Sequence, residues 1–302
     1  MKWNSVVVSG GTGFIGARLK NHRPKWTYLS SRDYDLLNKE ECNQMFKEHQ
    51  PDAIIHLAAK VGGIKENANN QASFYYENIM INTNILECAH RNNVKRTLSS
   101  LSTCAFPDVV SKYPFLEEDL FKGPPAKTNF SYGYTKRALH VQAVSYRKQY
   151  GLNYSTFCPS NIYGPGDNFN SESSHFIPAL IKKIAEAKEG DTLELWGTGT
   201  PLRQQLYIDD LVEIIPLLLE KHNSDMPIIV APNENLSISE MANILHKNVK
   251  KNVKIVYNNR LDGQFRKDGS NKKLLKLLGG FNFTKFEDGV TKTYEWYKQN
   301  KQ

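Results

Sequence analysis

The sequence predicts an α/β protein: a doubly wound parallel sheet with a smaller, loop-rich α/β domain attached. Three observations carry that expectation. The β-branched run Val6-Val7-Val8 ends in the Gly-rich stretch Ser9 to Gly16 and passes into a helical pattern, an order that sets backbone N–H groups and a helix N-terminus against a pyrophosphate. The run Ala53 to Leu57 is apolar at successive positions except His56, where a half-solvated strand would alternate, and strands of that kind are covered on both faces. Strand and helix patterns then alternate through the first half of the chain, which implies a parallel, Rossmann-like sheet with its ligand at the strand C-terminal ends.

In chain order, the first loop spaces its glycines as G-x-x-G-x-x-G. Gly10, Gly11, Thr12, Gly13, Phe14, Ile15 and Gly16 form the candidate pyrophosphate cradle, although an ordinary tight turn carries the same spacing. Trp26 to Leu29 reads as the second strand, and the residues after it discriminate between nicotinamide cofactors. An acidic side chain there would hold a ribose 2′-hydroxyl, whereas this chain places Ser30, Ser31 and Arg32 before Asp33. Arg32 therefore favours a 2′-phosphate, hence NADP(H), with a plain surface arginine as the other reading. Asn38 to Glu41 has the form of a capping box opening a helix that ends near Gln50.

After the third strand, Leu57, Ala58 and Ala59 lead into Lys60-Val61-Gly62-Gly63-Ile64, where small residues let a cofactor approach the backbone. A helical pattern runs from about Phe74 to Arg91, and Val94 to Ser100 forms the next strand. A helix from Tyr132 to about Tyr150 precedes the strand Tyr154 to Cys158, which ends in Pro159-Ser160-Asn161-Ile162-Tyr163-Gly164-Pro165-Gly166. At these strand ends Ser100, Pro159, Ser160, Asn161 and Ile162 join the candidate cofactor contacts. Further on, His175 precedes a helix, and Leu193 to Trp196 and Gln205 to Ile208 read as strands. The Gly and Pro punctuation between them suits a lid over a cofactor domain. Ser237 to Glu240 forms a capping box, and Lys272 to Leu278 and Phe286 to Trp296 look helical. The expected division is residues 1–160 with about 204–232 as an NADP-binding domain, and about 161–203 with 233–302 as a substrate-binding domain.

The chemistry centres on Ser102, Tyr132 and Lys136. A Tyr and a Lys four apart on a helix lie one turn apart on one face, so the ammonium can depress the phenol pKa and still reach a bound ribose. A hydroxyl from a strand end, here Ser102, would hold a substrate carbonyl against that phenol while a reduced nicotinamide delivers hydride. The Tyr-x-x-x-Lys spacing alone says little, because Tyr294 with Lys298 and Tyr297 with Lys301 match it too and read as solvated helix faces. Tyr132 differs in its company: Ser102 upstream, the Gly-rich loop, and Cys104 two residues past the serine.

Composition narrows the class. With 302 residues, 40% apolar and 23% charged, the chain is that of an ordinary globular enzyme. It has no run of about 18 apolar residues for a membrane span, and Met1 passes straight into a strand, so neither a signal peptide nor a membrane partner is expected, and the cytoplasm is the expected compartment. Cys42, Cys88, Cys104 and Cys158 have neither C-x-x-C spacing nor His partners at zinc-ligand intervals, so reduced thiols are expected and no metal. The net charge of +8 and pI near 9.1 come from lysines scattered among acidic residues, which favours solubility over a nucleic-acid partner.

The chain resembles the GDP-L-fucose synthase family of extended short-chain dehydrogenase/reductases over essentially its whole length. The resemblance is carried by Gly10 to Gly16, Lys60 to Ile64, Ser102-Thr103-Cys104-Ala105-Phe106-Pro107, Tyr132 to Lys136 and Asn161 to Pro165. It continues in Asp167 to Phe169, Ser174 to Pro178, Trp196 to Arg203 and Asp262 to Lys267. Ser9 and Gly166 are small departures, where relatives often have Thr and some have His. The resemblance implies conversion of GDP-4-keto-6-deoxy-D-mannose to GDP-L-fucose with NADPH, by a homodimer packed through the helices near 74–91 and 132–150. Cys104 and His175 would be the acid and base that invert C3 and C5, and His175 would also border the cofactor. Ser102 and Tyr132 would stabilise the enolate oxygen, and Lys183, Trp196, Arg203 and Asp262 would contact substrate. Blander readings stand beside these: Trp196 as core, His175 as a satisfied structural histidine, Cys104 as a small buried apolar residue. The competing functions are another nucleotide-sugar enzyme, disfavoured as a dehydratase because Cys104 stands where elimination needs an acidic residue, a silent NADP-binding scaffold, and a nucleic-acid binder.

Overall fold

The computed structural model describes residues 3–170, 173–249, 251–259, 262 and 264–300, with only the backbone at 64, 65 and 68; Met1, Gly263 and Lys301, which enter the sequence reading, lie outside the described residues. The first half runs β1 (Val6–Ser9), α1 (Phe14–His22), β2 (Thr27–Leu29), α2 (Lys39–His49), β3 (Ala53–His56), α3 (Ile64–Asn69), α4 (Gln71–Arg91), β4 (Arg96–Ser100), α5 (Phe130–Tyr150) and β5 (Asn153–Pro159). There follow β6 (Asn161–Tyr163), α6 (Phe176–Glu186), β7 (Thr192–Leu195), β8 (Leu202–Arg203), β9 (Gln205–Tyr207), α7 (Ile208–Lys221) and β10 (Ile228–Val230). The chain ends with β11 (Leu236–Ser237), α8 (Ile238–Val249), β12 (Lys254–Tyr257), β13 (Arg266–Lys267), α9 (Lys272–Leu278) and α10 (Phe286–Asn300).

Six strands form one parallel sheet in the order β10-β5-β4-β3-β1-β2. Because successive side chains alternate between faces, Val6 and Val8 enter one core with α6, α7, α8 and α10, while Val7 enters the other with α2, α4 and α5. Ala53 and Ile55 part from Ile54 in the same way. That double burial, worth about 1.5–3 kcal/mol for each large aliphatic side chain, is why these strands read as unbroken apolar runs. The chain goes from β1 to β2 on one side and returns to β3 on the other, so a crevice opens at the C-terminal ends of β1 and β3, where the Gly-rich loop lies. The remaining strands form three small sheets, β11-β8-β13, β12-β7 and β6-β9. Among the described residues, no helix is long and apolar enough to cross a membrane.

Several boundaries differ from the sequence reading. Helix α5 starts at Phe130, two residues before Tyr132, β4 starts at Arg96 instead of Val94, and Ile208 opens α7 instead of closing a strand. The Ser237 box closes fully, with Glu240 N donating to Ser237 Oγ at 3.1 Å and Ser237 N donating to Glu240 Oε2 at 2.7 Å. At Asn38 only half the box forms. Its side chain accepts from Glu40 N and Glu41 N, but the Glu41 carboxylate turns away to the Asp35 N–H at 2.8 Å. Arg96 is fully buried in β4, where a sheet core normally excludes charge; it donates to the carbonyls of Leu218 (2.9 Å) and Leu219 (3.0 Å) and so satisfies the C-terminal end of α7.

Candidate active site

The site is built where β4 ends. Leu101 N bonds Phe157 O at 2.7 Å, extending the ladder by one residue, and Ser102 then caps a single 3₁₀ turn, Thr103–Ala105, by accepting the Cys104 N–H at 3.2 Å. Ser102 and Cys104 are thereby fixed in one turn. Helix α5 brings Tyr132 and Lys136 against that turn, and Arg137 Nε locks it there by donating to the Ala105 carbonyl at 2.6 Å. The Ser102 hydroxyl faces the Tyr132 phenol and acts to lower its pKa.

The expected depression of the phenol by Lys136 is not what the structure holds. Lys136 is 2% exposed, its Nζ donates to the Ser100 carbonyl at 2.8 Å, and it lies 5.6 Å from the centroid of the Tyr132 ring. Burial raises the Tyr132 pKa, helped by the Cys104 and Cys158 thiols and opposed by the Ser102 hydroxyl. The phenol is therefore held as a proton donor. Burial also lowers Lys136 to about 8.

Cys104 behaves in the opposite sense. Burial pushes its thiol up, but the Lys267 ammonium, the Ser102 hydrogen bond and the Arg203 guanidinium together outweigh burial and leave the pKa below the ordinary thiol value. Lys267 Nζ stands 3.1 Å from Cys104 Sγ. Local sequence carries no sign of this contact beyond the Arg266-Lys267 pair that closes the Asp262 to Lys267 motif. His175 is the N-cap residue of α6 and is exposed; the protein around it, and then the Lys267 charge, lower its imidazole pKa.

The other sequence-selected residues fall into two groups. Arg203 belongs to the Cys104 neighbourhood, with Nη1 donating to Leu202 O at 2.7 Å. Lys183, Trp196 and Asp262 gather around β7 and the loop after it: Lys183 Nζ donates to Glu194 O at 3.0 Å, and Asp262 accepts from Thr198 N at 2.9 Å and Thr198 Oγ1 at 2.7 Å. Trp196 is 77% exposed, which removes its reading as core.

At the crevice, Gly10 takes φ +74°, and a Cβ there would lie 2.8 Å from Ala58 N, so neither the conformation nor the space admits a side chain. A Cβ on Gly16 would strike the Gly10 carbonyl. Beneath the loop runs a buried relay that local sequence patterns do not reveal. Ser9 Oγ pairs with His56 Nδ1 at 2.8 Å, His56 Nε2 with Asn82 Oδ1 at 3.0 Å, and Asn82 Nδ2 donates to Thr135 O at 3.4 Å. Burial lowers His56 to about 3, so the relay is neutral. After β2 the Asp33 carboxylate turns back onto Ser30 N (2.8 Å) and Ser30 Oγ (2.7 Å), leaving exposed Arg32 as the charge presented there. Ser160 Oγ, just past the end of β5, is buried with no protein partner. A Gly loop at a helix N-terminus, an unpaired hydroxyl and a buried lysine suit a dinucleotide. Among the described residues, no cluster of three or more His, Cys, Asp or Glu could hold a metal ion.

A parallel doubly wound sheet with a Ser, Tyr and Lys at its C-terminal edge is the scaffold of a nucleotide-dependent reductase or epimerase. Residues 6–231 match the NAD dependent epimerase/dehydratase family, and the chain belongs to that family, within its GDP-L-fucose synthase branch. It is 37% identical to a probable GDP-L-fucose synthase of Drosophila melanogaster over 98% of this chain and 97% of the relative. It is 31% identical to the GDP-L-fucose synthase of Escherichia coli over 99% and 98%. It also superposes with a TM-score of 0.91 on a GDP-L-fucose synthetase from Naegleria fowleri bound to NADP, at 35% identity over 99% of this chain and 93% of that one.

Proposed function

We propose that this protein converts GDP-4-keto-6-deoxy-D-mannose to GDP-L-fucose, as a 3,5-epimerase and NADPH-dependent 4-reductase. The observation that carries the reading is a thiol, Cys104, 3.1 Å from the Lys267 ammonium and on the 3₁₀ turn that Ser102 caps, beside the Tyr132 and Lys136 pair. A generic ketone reductase needs the hydroxyl pair and has no use for the thiolate.

The C4 carbonyl of the substrate acidifies the hydrogens at C3 and C5. With the carbonyl oxygen held by Ser102 and Tyr132, the Cys104 thiolate takes a proton from carbon, and the C–H electron pair moves into an enolate on that oxygen. Protonation from the opposite face by His175 inverts the centre. Bound NADPH supplies a hydride to C4. Tyr132, kept protonated by burial, gives its proton to the same oxygen, and Lys136 and the Gly10 to Gly16 loop bind and orient the cofactor.

NADP preference is supported by Arg32 and by Asp33 being turned into its own loop. A homodimer is supported by the apolar groove along α4 and α5, lined by Tyr75, Phe121, Tyr134 and Val141, of which Tyr75, Phe121 and Val141 are exposed in the single chain. We place the substrate between the C-terminal edge of the large sheet and the segments 161–203 and 233–302. The test is product analysis by NMR after incubation with the keto sugar and NADPH in D₂O. GDP-L-fucose labelled at C3 and C5 is expected, and Cys104→Ser should lose the label while still reducing some unepimerised ketone. GDP-L-fucose formed by Cys104→Ser at the wild-type rate would remove the thiol from the mechanism.

A further inference from the structure

We propose that Lys267 is the positioning residue that holds Cys104 as a thiolate, and thereby sets the pH range over which the protein exchanges protons at the sugar carbons. The inference rests on the proposed function for its consequence in catalysis, but its first readout needs no substrate.

The contact is a product of strand register. β13 pairs in parallel with β8, with Arg266 opposite Leu202 and Lys267 opposite Arg203. Directly paired residues of neighbouring strands project to the same face, so Lys267 and Arg203 leave their sheet side by side. The lysine ends 3.1 Å from the sulfur, the distance of a charge-assisted hydrogen bond to a thiolate. The adjoining carboxylate does not cancel this charge. Asp268 is 3% exposed and is taken by Arg266, with Nε–Oδ1 at 2.6 Å and Nη2–Oδ2 at 2.9 Å. Among the described residues no carboxylate forms an ion pair with Lys267.

The geometry is also pinned at both ends. Phe115 N bonds Asp268 O at 2.9 Å and Ser270 N bonds Phe115 O at 2.8 Å, which ties the lysine's strand to the segment that follows Cys104. Gln204 receives Gly269 N at 2.9 Å and donates to Gly269 O at 3.1 Å, fixing the same strand to the end of β8. The groups around the thiol are Lys267 from β13, Arg203 from β8, Ser102 on its own turn, Tyr132 from α5 and Cys158 from β5. Two are cations and the rest are neutral hydroxyl and thiol groups, so the local field favours the anion. The Lys267 charge also acts on His175, where it opposes protonation. One lysine therefore acts to lower the proton affinity of both proton-exchanging groups.

The experiment is alkylation of Cys104 by iodoacetamide between pH 5 and 10, without substrate or cofactor. Cys42, Cys88 and Cys158 are each 0% exposed, so Cys104 carries the signal. In Lys267→Met the rate at pH 7 should fall by about 10- to 100-fold and recover as pH rises, the mark of a thiol pKa moved upward. Lys267→Arg should restore most of the rate. The His175 midpoint, followed by NMR, should rise in the Met variant. Deuterium exchange into the keto sugar should fall at pH 7 and approach wild type near pH 9. An alkylation profile in Lys267→Met equal to wild type overturns the proposal, and Lys267→Gln gives the same reading should the Met variant not fold. A shifted alkylation profile in a protein that never exchanges deuterium would uphold the thiol's dependence on Lys267 and overturn the epimerase reading.

Discussion

Lys136→Met is expected to leave the cofactor-free protein as stable as wild type or more so at pH 7, while abolishing cofactor-dependent reduction. Burial takes the Lys136 pKa from the ordinary 10.5 to about 8. At about 1.4 kcal/mol for each tenfold change, holding that charge inside costs about 3 kcal/mol. Against it stands one hydrogen bond, Nζ to Ser100 O at 2.8 Å, worth about 1.5–3 kcal/mol for a charged donor. A methionine of similar length fills the space, so the net gain at pH 7 is roughly 0–2 kcal/mol. The pH dependence is the sharper signature. Between about pH 8 and 10.5 the unfolded chain binds more protons at this residue than the folded one, so wild-type stability gains from this group as pH rises through that window. The variant lacks that gain. Its advantage should therefore shrink, and then reverse, by up to about 3 kcal/mol between pH 7 and 10.5. Urea unfolding of both proteins without cofactor at several pH values measures it, since other alkaline effects cancel in the difference. A difference that does not change with pH would refute the reasoning, because it would mean that Lys136 is not a buried charge.

Tyr132→Phe should cut ketone reduction by roughly 10²-fold or more, the usual scale for a positioned acid, and leave NADPH affinity within a few-fold, as fluorescence titration would report; near-normal turnover would take the phenol out of the chemistry. Arg32→Ala should raise KM for NADPH by about 10- to 100-fold, the worth of one charged hydrogen bond, with little change for NADH. Equal effects on both cofactors would return Arg32 to the status of a surface residue. Asp167, raised to about 7 by burial, has Oδ2 without a partner. Between about pH 4 and 7 the folded state binds the extra proton, so stability is lost as pH rises through 7. Asp167→Asn should consequently gain about 1–2 kcal/mol relative to wild type at pH 8 over pH 4.5, a figure reduced for partial exposure; melting curves showing the opposite trend would contradict it.

The sequence by itself determined what depends on neighbours a few residues apart. The strand, Gly loop and helix at the start, the unbroken apolar strands of a doubly covered sheet, the Ser237 box and the placing of Tyr132 and Lys136 one turn apart all follow from local periodicity and spacing. Helix α7 escaped that reading because Pro216 interrupts its pattern, and two-residue strands such as β8 and β13 carry no period to detect. The tertiary structure decided which side chains meet. Lys267 reaches Cys104 across 163 positions, a contact made by pairing β13 with β8. The same closure gave Lys136 the Ser100 carbonyl as its partner and left Tyr132 half-buried, so that the phenol rises where spacing alone predicts a fall. A pKa depends on every charge and dipole within several ångströms and on how much water is excluded. Those neighbours come from strands and loops far apart in the chain, and they meet only when long-range register is set.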